Sequence, residues 1–305
     1  MLPSVTEYHN ALSNEGVIKN YENLVFVTDY NRTPILSSSN LAVVFKMEDR
    51  NTKKRYAVKC FISEQEYRHE SYKHIANNFK VINDPYLVHF EYINDGLHLK
   101  EKPIGEREYP VLVMDWIESQ TLGEYFSQLY NPDNKTKLYR LACSFDQMAL
   151  WLLKQPFSHG DLSIDNILVE RNGSLRLIDY DGMFTPEMVG QYARENGNPN
   201  YRHPKRTPYL FGSFIDDFSI LIISISLHVL AYEPSLIRND LFFRNSIFFT
   251  LGDLINSGKT PIWKMMNQVR ANEKIAIRLE MLYMAIENTP EARLADLQQI
   301  LQKID

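Results

Sequence analysis

The chain has 305 residues, room for two domains or one domain in two parts. With 44% hydrophobic and 23% charged residues it reads as an ordinary globular protein with a sizeable core, which excludes gross disorder. A net charge of −5 speaks against nucleic-acid binding. Two cysteines, Cys60 and Cys143, leave no disulfide framework and point to a reducing, cytoplasmic setting.

The start, MLPSVTEYHNALSNEG, has neither a basic stretch nor an apolar run, so no signal peptide is expected. Residues 1–35 carry no motif and are expected to pack, as strands and a short helix, on the β-rich region after Leu36. There LAVVFKME and KRYAVKCFI read as strands around the polar turn EDRNTKK. EQEYRHESYKHIANNF suits a helix. VHFEYI and YPVLVMDWI suit two further strands, split by a polar loop with Gly96, Pro103 and Gly105. After Ile117 the apolar spacing becomes three and four, in TLGEYFSQLY and KTKLYRLACSFDQMALWLLKQ. Two short strands, ILVE and LRLID, interrupt the helices and meet at Asn172-Gly173, a hairpin turn signal. The apolar stretch FSILIISISLHVLA is shorter than a membrane span and follows Asp216-Asp217, so a buried helix is expected and no membrane contact. The order makes an α+β protein.

The chemistry concentrates in HGDLSIDNILVERNGSLRLIDYDG. A carboxylate at Asp161, in a loop before the hairpin, can orient and deprotonate a hydroxyl. Asn166 adds a neutral oxygen, and Asp179 returns a second carboxylate at the hairpin's far end. Amide and carboxylate oxygens with water and phosphate suit Mg²⁺. His69 and His74, five residues apart, make no helical metal pair.

These residues resemble the catalytic loop and metal-binding segment of the protein-kinase superfamily, usually H-R-D-L-x-x-x-x-N and D-F-G. The 18-residue separation of Asp161 and Asp179 is family-like. His-Gly-Asp resembles the aminoglycoside and choline kinase branches and divergent bacterial kinases. The resemblance implies a two-lobed fold with a β-rich lobe and hinge over 36–117 and a helical lobe over 118–305. It implies ATP and Mg²⁺, with Asp161 accepting the hydroxyl proton and Asn166 and Asp179 holding the metal. Asp181 is the alternative metal ligand. YAVK places Lys59 where the family's phosphate-binding lysine stands. Glu70 is favoured over Glu64 and Glu66 as its partner. Met114 would line the adenine pocket, and the backbone of Asp115 and Ile117 would bond the base. GNPNYRHPK resembles the end of an activation segment. DDFS resembles the start of the buried helix whose aspartate, here Asp216, anchors the catalytic loop. PEAR, with Arg293, resembles the motif before the last helix.

The sequence departs from the family at four places. No glycine occurs between Gly16 and Gly96, so Ser37, Ser39 and Ala42 stand where three phosphate-loop glycines belong. Gly160 replaces the arginine that pairs with a phosphorylated activation loop in many regulated kinases. Lys205 replaces the glutamate expected to pair with Arg293, and Ser163 replaces a lysine. The resemblance therefore implies a kinase acting on a hydroxyl-bearing substrate, a protein rather than a small molecule. A small-molecule kinase is one rival. A nucleotide-binding pseudokinase, acting as scaffold or sensor, is the other, favoured by the glycine-free loop and Lys205.

Overall fold

The computed structural model describes the chain apart from residues 1, 15, 65–66, 82–83, 102–104, 130–131, 237–245 and 303–305. It divides into two compact units, Met1–Asp84 with Val88–Ile117, and Pro85–Leu87 with Glu118–Asp305.

The first unit begins with α1 (Val5–Leu12), whose N-terminus is closed by a capping box between Ser4 and Glu7. Positions i and i+4, Tyr8 and Leu12, turn one face of this helix inward. The Tyr8 hydroxyl donates to Phe61 O at 2.7 Å. The sheet comes next: β1 (Leu24–Phe26), β2 (Leu36–Ser38), β3 (Ala42–Asp49), β4 (Arg55–Phe61), β5 (Phe90–Glu101) and β6 (Gly105–Asp115), with α2 (Arg68–Val81) between β4 and β5. The strand order is β1-β3-β4-β6-β5, with β2 added beside β3, and each pairing is antiparallel. Tyr8, Leu12, Ile18 and Leu24 share one core with Val43, Phe45, Val58, Ile93 and Val111, so the segment before Leu36 is part of this unit's interior.

The expected polar loop after VHFEYI is instead strand. β5 runs through Gly96 to Glu101, β6 starts at Gly105, and Pro103 lies outside the described residues. The register shifts between Ile93 and Leu97, and a Cβ on Gly96 would stand 2.4 Å from Val111 Cγ1. Glycine here marks a bulge where a neighbouring side chain crosses close to the backbone, not a turn.

In the second unit, β7 (Ser119–Thr121) leads into α3 (Leu122–Ser127) and α4 (Lys135–Leu152). β8 (Ile167–Glu170) and β9 (Leu175–Leu177) form the expected hairpin, and β7 extends it to three strands. Then come α5 (Asp217–Tyr232), α6 (Leu251–Ile255), α7 (Pro261–Gln268), α8 (Glu273–Glu287) and α9 (Leu297–Gln302). Every residue of α5 from Asp217 to Ala231 is buried, as expected for a helix that is apolar all round. Among the described residues no helix is long and apolar enough to cross a membrane.

One buried carboxylate of this unit joins three helices. Asp146 on α4 is fully buried; it accepts from Ser224 Oγ at 2.7 Å, His228 Nε2 at 2.7 Å and Arg278 Nη2 at 2.9 Å. The conflict expected between Lys205 and Arg293 does not arise. Arg293 pairs with Asp217 at 2.6 Å, while Lys205 Nζ donates to the carbonyls of Glu287 and Asn288 at the end of α8. A lysine there satisfies carbonyls that the helix leaves open and complements its dipole. The whole is a mixed α/β architecture, a sheet-built unit and a helical one, compatible with a two-lobed kinase-like fold.

Asp217 supplies two stability tests. Burial pushes its carboxyl up to about 6, against the opposing pull of Arg293 and the Leu294 N–H. Arg293→Met leaves the buried Asp217 carboxylate with the Leu294 N–H alone and is expected to cost about 1–3 kcal/mol at neutral pH in urea unfolding. The raised folded value also sets a sign. Asp217's contribution to stability is full below the ordinary carboxylate range and is lost as pH rises through about 6. Asp217→Asn removes that dependence. The wild-type stability relative to the variant should therefore fall between pH 4 and 7, and a flat difference would contradict the assignment.

Candidate functional site

The loop before β8 is fastened from several sides. The Asp216 carboxylate accepts from His159 N at 2.5 Å and Gly160 N at 2.8 Å, as expected for the loop anchor. His159 is fully buried; its Nε2 lies 2.8 Å from Ile178 O, which leaves Nδ1 to accept the Asp161 N–H at 3.3 Å. Gly160 has φ +82, and a Cβ there would fall 1.8 Å from Gly182 O. The loop thus threads past the segment after β9 with no space for a side chain at position 160.

Asp161 is held at both oxygens. Asn198 N donates to Oδ1 at 2.6 Å and Asn166 Nδ2 donates to Oδ2 at 3.0 Å. Asn166 Nδ2 also reaches Asp161 O at 2.8 Å, so the amide nitrogen is committed to the loop. Its oxygen accepts no hydrogen bond among the described residues and is available to a cation. Burial raises the Asp161 carboxyl above the usual range; the Asn198 N–H opposes this and the charge of Asp179 adds to it.

That influence places Asp179 in electrostatic reach of Asp161. Asp179 takes a left-handed backbone, φ 66 and ψ 78, ahead of a 3-10 turn at Tyr180–Gly182 that contains Asp181. Such a conformation is costly for a non-glycine residue and clusters at functional sites. The hairpin brings Asn166 and Asp179 together through the Ile178 N–H, which donates to Asn166 O at 3.1 Å. The Asn166 amide oxygen and the Asp179 carboxylate are hard oxygen donors of the kind Mg²⁺ takes together with water and phosphate. Among the described residues no cluster of three His, Cys, Asp or Glu side chains suits a metal.

The remaining expected residues belong to the first unit. Lys59 lies on β4 opposite Val44 of β3 and Leu112 of β6. Glu70 does not pair with it: it is exposed in the first turn of α2 and makes no ion pair among the described residues. The inward face of α2 is Arg68, Ser71, Tyr72 and Ile75, at i, i+3, i+4 and i+7, and position 70 falls off it. Glu66 lies outside the described residues. Ser37 pairs with Val44 in the β2–β3 hairpin. The Ser39 hydroxyl accepts the N–H groups of Leu41 and Ala42, each at 3.2 Å, and Ser39 N donates to Ala42 O at 2.9 Å. The segment expected to cradle phosphate is therefore a tight turn bonded to itself. Met114 is buried on β6. Asp115 commits its N–H to His89 O at 3.0 Å and its carboxylate to Lys54 at 2.7 Å, and Ile117 closes the unit.

No family model matches the chain. Over 187 residues, 58% of its length, it is 22% identical to the serine/threonine-protein kinase CBK1 of Debaryomyces hansenii. The match takes in 24% of that protein, so the chain spans about a quarter of the length of the curated relative it matches. The relationship is kinase-like, distant, and partial in extent.

Two contributors escaped the sequence. The Asn198 N–H on Asp161 is a main-chain group, which any residue supplies. Arg206 Nη1 donates to Gly160 O at 2.8 Å from the position just after GNPNYRHPK, where no motif residue is expected. Gly160→Ala tests the threading directly. Overpacking against Gly182, together with left-handed strain, is expected to cost about 2–5 kcal/mol in chemical denaturation. A neutral result would show that the loop and Gly182 are not in contact.

Proposed function

We propose that the chain is an ATP- and Mg²⁺-dependent phosphotransferase that moves the γ-phosphoryl group to a hydroxyl, on a protein rather than a small molecule. The observation that carries this is Asp161, a carboxylate fixed by one donor on each oxygen. Each oxygen keeps a lone pair for an incoming hydroxyl, and the group needs no reorientation when one arrives.

In the reaction the hydroxyl oxygen bonds to the γ-phosphorus as the bond to the β,γ-bridging oxygen breaks. ADP leaves, and the hydroxyl proton passes to Asp161. The burial that raises the Asp161 carboxyl improves it as an acceptor for that proton. Asn166 and Asp179 would hold Mg²⁺, which neutralises the phosphate charge when bound. Asp179 is preferred to Asp181 because by strand register, just after β9, it takes the aspartate position of the D-F-G motif that the kinase resemblance supplies. The kinase resemblance gives Lys59 to the α- and β-phosphates, and Met114, Asp115 and Ile117 to the base. The distant kinase relative supports the reaction class.

A second reading, a nucleotide-binding pseudokinase, is favoured by one observation: the glycine-free segment over Ser37, Ser39 and Ala42 is closed into a turn by the Ser39 hydroxyl, which makes it less adaptable for closing productively over ATP. Thermal unfolding with ATP, with and without Mg²⁺, separates the two. At a hundredfold excess over Kd, binding contributes ~2.7 kcal/mol, and Tm rises by ~2–4 °C per kcal/mol. A metal-dependent rise is expected, lost in Asp179→Asn and kept in Asp181→Asn. Asp161→Asn should keep the rise and abolish transfer. A rise indifferent to Mg²⁺ favours the pseudokinase, and no rise with any nucleotide sinks both.

A further inference from the structure

We propose that Arg206 is a positioning residue for Asp161, acting through the carbonyl of Gly160. The proposal rests on the phosphotransferase reading for its meaning, though not for its test.

The two peptide N–H groups before Asp161, at His159 and Gly160, are taken by Asp216. One peptide remains, the one that joins Gly160 to Asp161 itself. Its carbonyl accepts from Arg206 Nη1 at 2.8 Å, and its N–H donates to His159 Nδ1 at 3.3 Å. Arg206 thus holds the peptide plane from which the Asp161 side chain departs. Position 160 itself can carry no side chain to do this, because Gly182 O occupies the Cβ direction. Gly197 opens the space for the approach. A Cβ there would lie 2.8 Å from Gly160 O, 3.1 Å from Asp161 Oδ1 and 3.4 Å from Arg206 Nη1. The same glycine precedes Asn198, whose N–H fixes Asp161 Oδ1. Residues 197, 198 and 206, all from one segment, therefore converge on the two residues 160 and 161.

The state of Arg206 argues for function over packing. It is 7% exposed, and its Nε and Nη2 have no hydrogen-bond partner among the described residues. Buried unpaired N–H groups are costly, and an apolar side chain of similar length would fill the space without them. Burial also works against its charge, which Asp216 and Asp161 favour and Arg202 opposes. A guanidinium kept under these conditions contributes through what Nη1 does.

The test is hydrogen–deuterium exchange on the full chain without nucleotide, comparing wild type with Arg206→Met and Arg206→Lys, alongside Tm and steady-state kinetics. In Arg206→Met the amides of Gly160 and Asp161 should lose protection about tenfold or more, while Tm holds or rises and the rest of the second unit keeps its pattern. With ATP and Mg²⁺ the same variant should lose about 10- to 100-fold in kcat at unchanged KM for ATP, the scale of a misplaced reacting group. Arg206→Lys, which keeps a donor, should recover part of both. Unchanged protection at 160 and 161, or a loss spread evenly over the unit, overturns the proposal. If Arg206→Met does not fold, the lysine variant decides by the same two criteria. If the wild type transfers phosphate to no hydroxyl, the phosphotransferase reading falls, and the exchange pattern still decides whether Arg206 holds the loop.

Discussion

The second unit is organised around one carboxylate. Asp216 is buried, stands at the head of a helix that is itself buried, and accepts two successive backbone N–H groups of the loop before β8. A loop of this kind, rich in polar backbone, cannot be buried unless its donors are met. Once they are met, His159, Gly160 and Asp161 have one path. His159 can turn its ring to Ile178, Gly160 can pass under Gly182, and Asp161 is left at the exit with both oxygens held. The next residue, Asp217, faces another way and takes Arg293 and the Leu294 N–H. Two adjacent carboxylates thus tie the start of α5 both to the loop and to the segment before α9.

The rest of α5 explains why this anchor is firm. Its serines bond within the core: Ser219 to Tyr201 O, Ser224 to Asp146, Ser226 to Ile222 O. Asp146 then collects Arg278 and His228, so α4, α5 and α8 share one satisfied charge cluster. Such a cluster adds less to stability than an apolar replacement of equal volume, but it resists alternative packings, because any slip leaves a buried charge unpaired. Lys205 obeys the same logic. A cation where an anion was expected is tolerated because the end of α8 offers carbonyls in place of a partner charge.

The residue-to-structure relation was readable where one residue type has one job. Alternation and three-four spacing marked the strands and helices, Asn172-Gly173 marked the hairpin, and the kinase resemblance of DDFS marked the anchor. It failed where geometry decides among equals. Glu64, Glu66 and Glu70 are chemically interchangeable, and only the inward face of α2 tells that position 70 looks outward. Gly96 reads as part of a polar loop until the paired strand shows the side chain of Val111 crossing it. Asn198 acts through its backbone and Arg206 through a carbonyl, and neither interaction leaves a residue-type signature. The kinase-like motifs were legible because each demands a particular side chain; the supports that hold those side chains still were not.

A tension lies in the first unit, between a self-bonded serine turn and the phosphate contact that the kinase resemblance expects at those positions. Energetics make the two compatible. The Leu41 and Ala42 N–H groups bind a neutral hydroxyl at 3.2 Å, long for such bonds, on a side chain that can rotate away. A phosphate oxygen is a charged acceptor, and charge-assisted hydrogen bonds are roughly twice as strong as neutral ones. Exchange therefore gives up these two weak bonds, and the hydroxyl's own long bond to Ala42 O at 3.4 Å, for two stronger ones. Glycine would make the turn more adaptable, but serine closes it in the absence of ligand. The difference is one of preorganisation: a glycine loop stays open to phosphate, whereas this one must first break its own turn. On the phosphotransferase reading, closing the segment over ATP therefore requires this turn to open first.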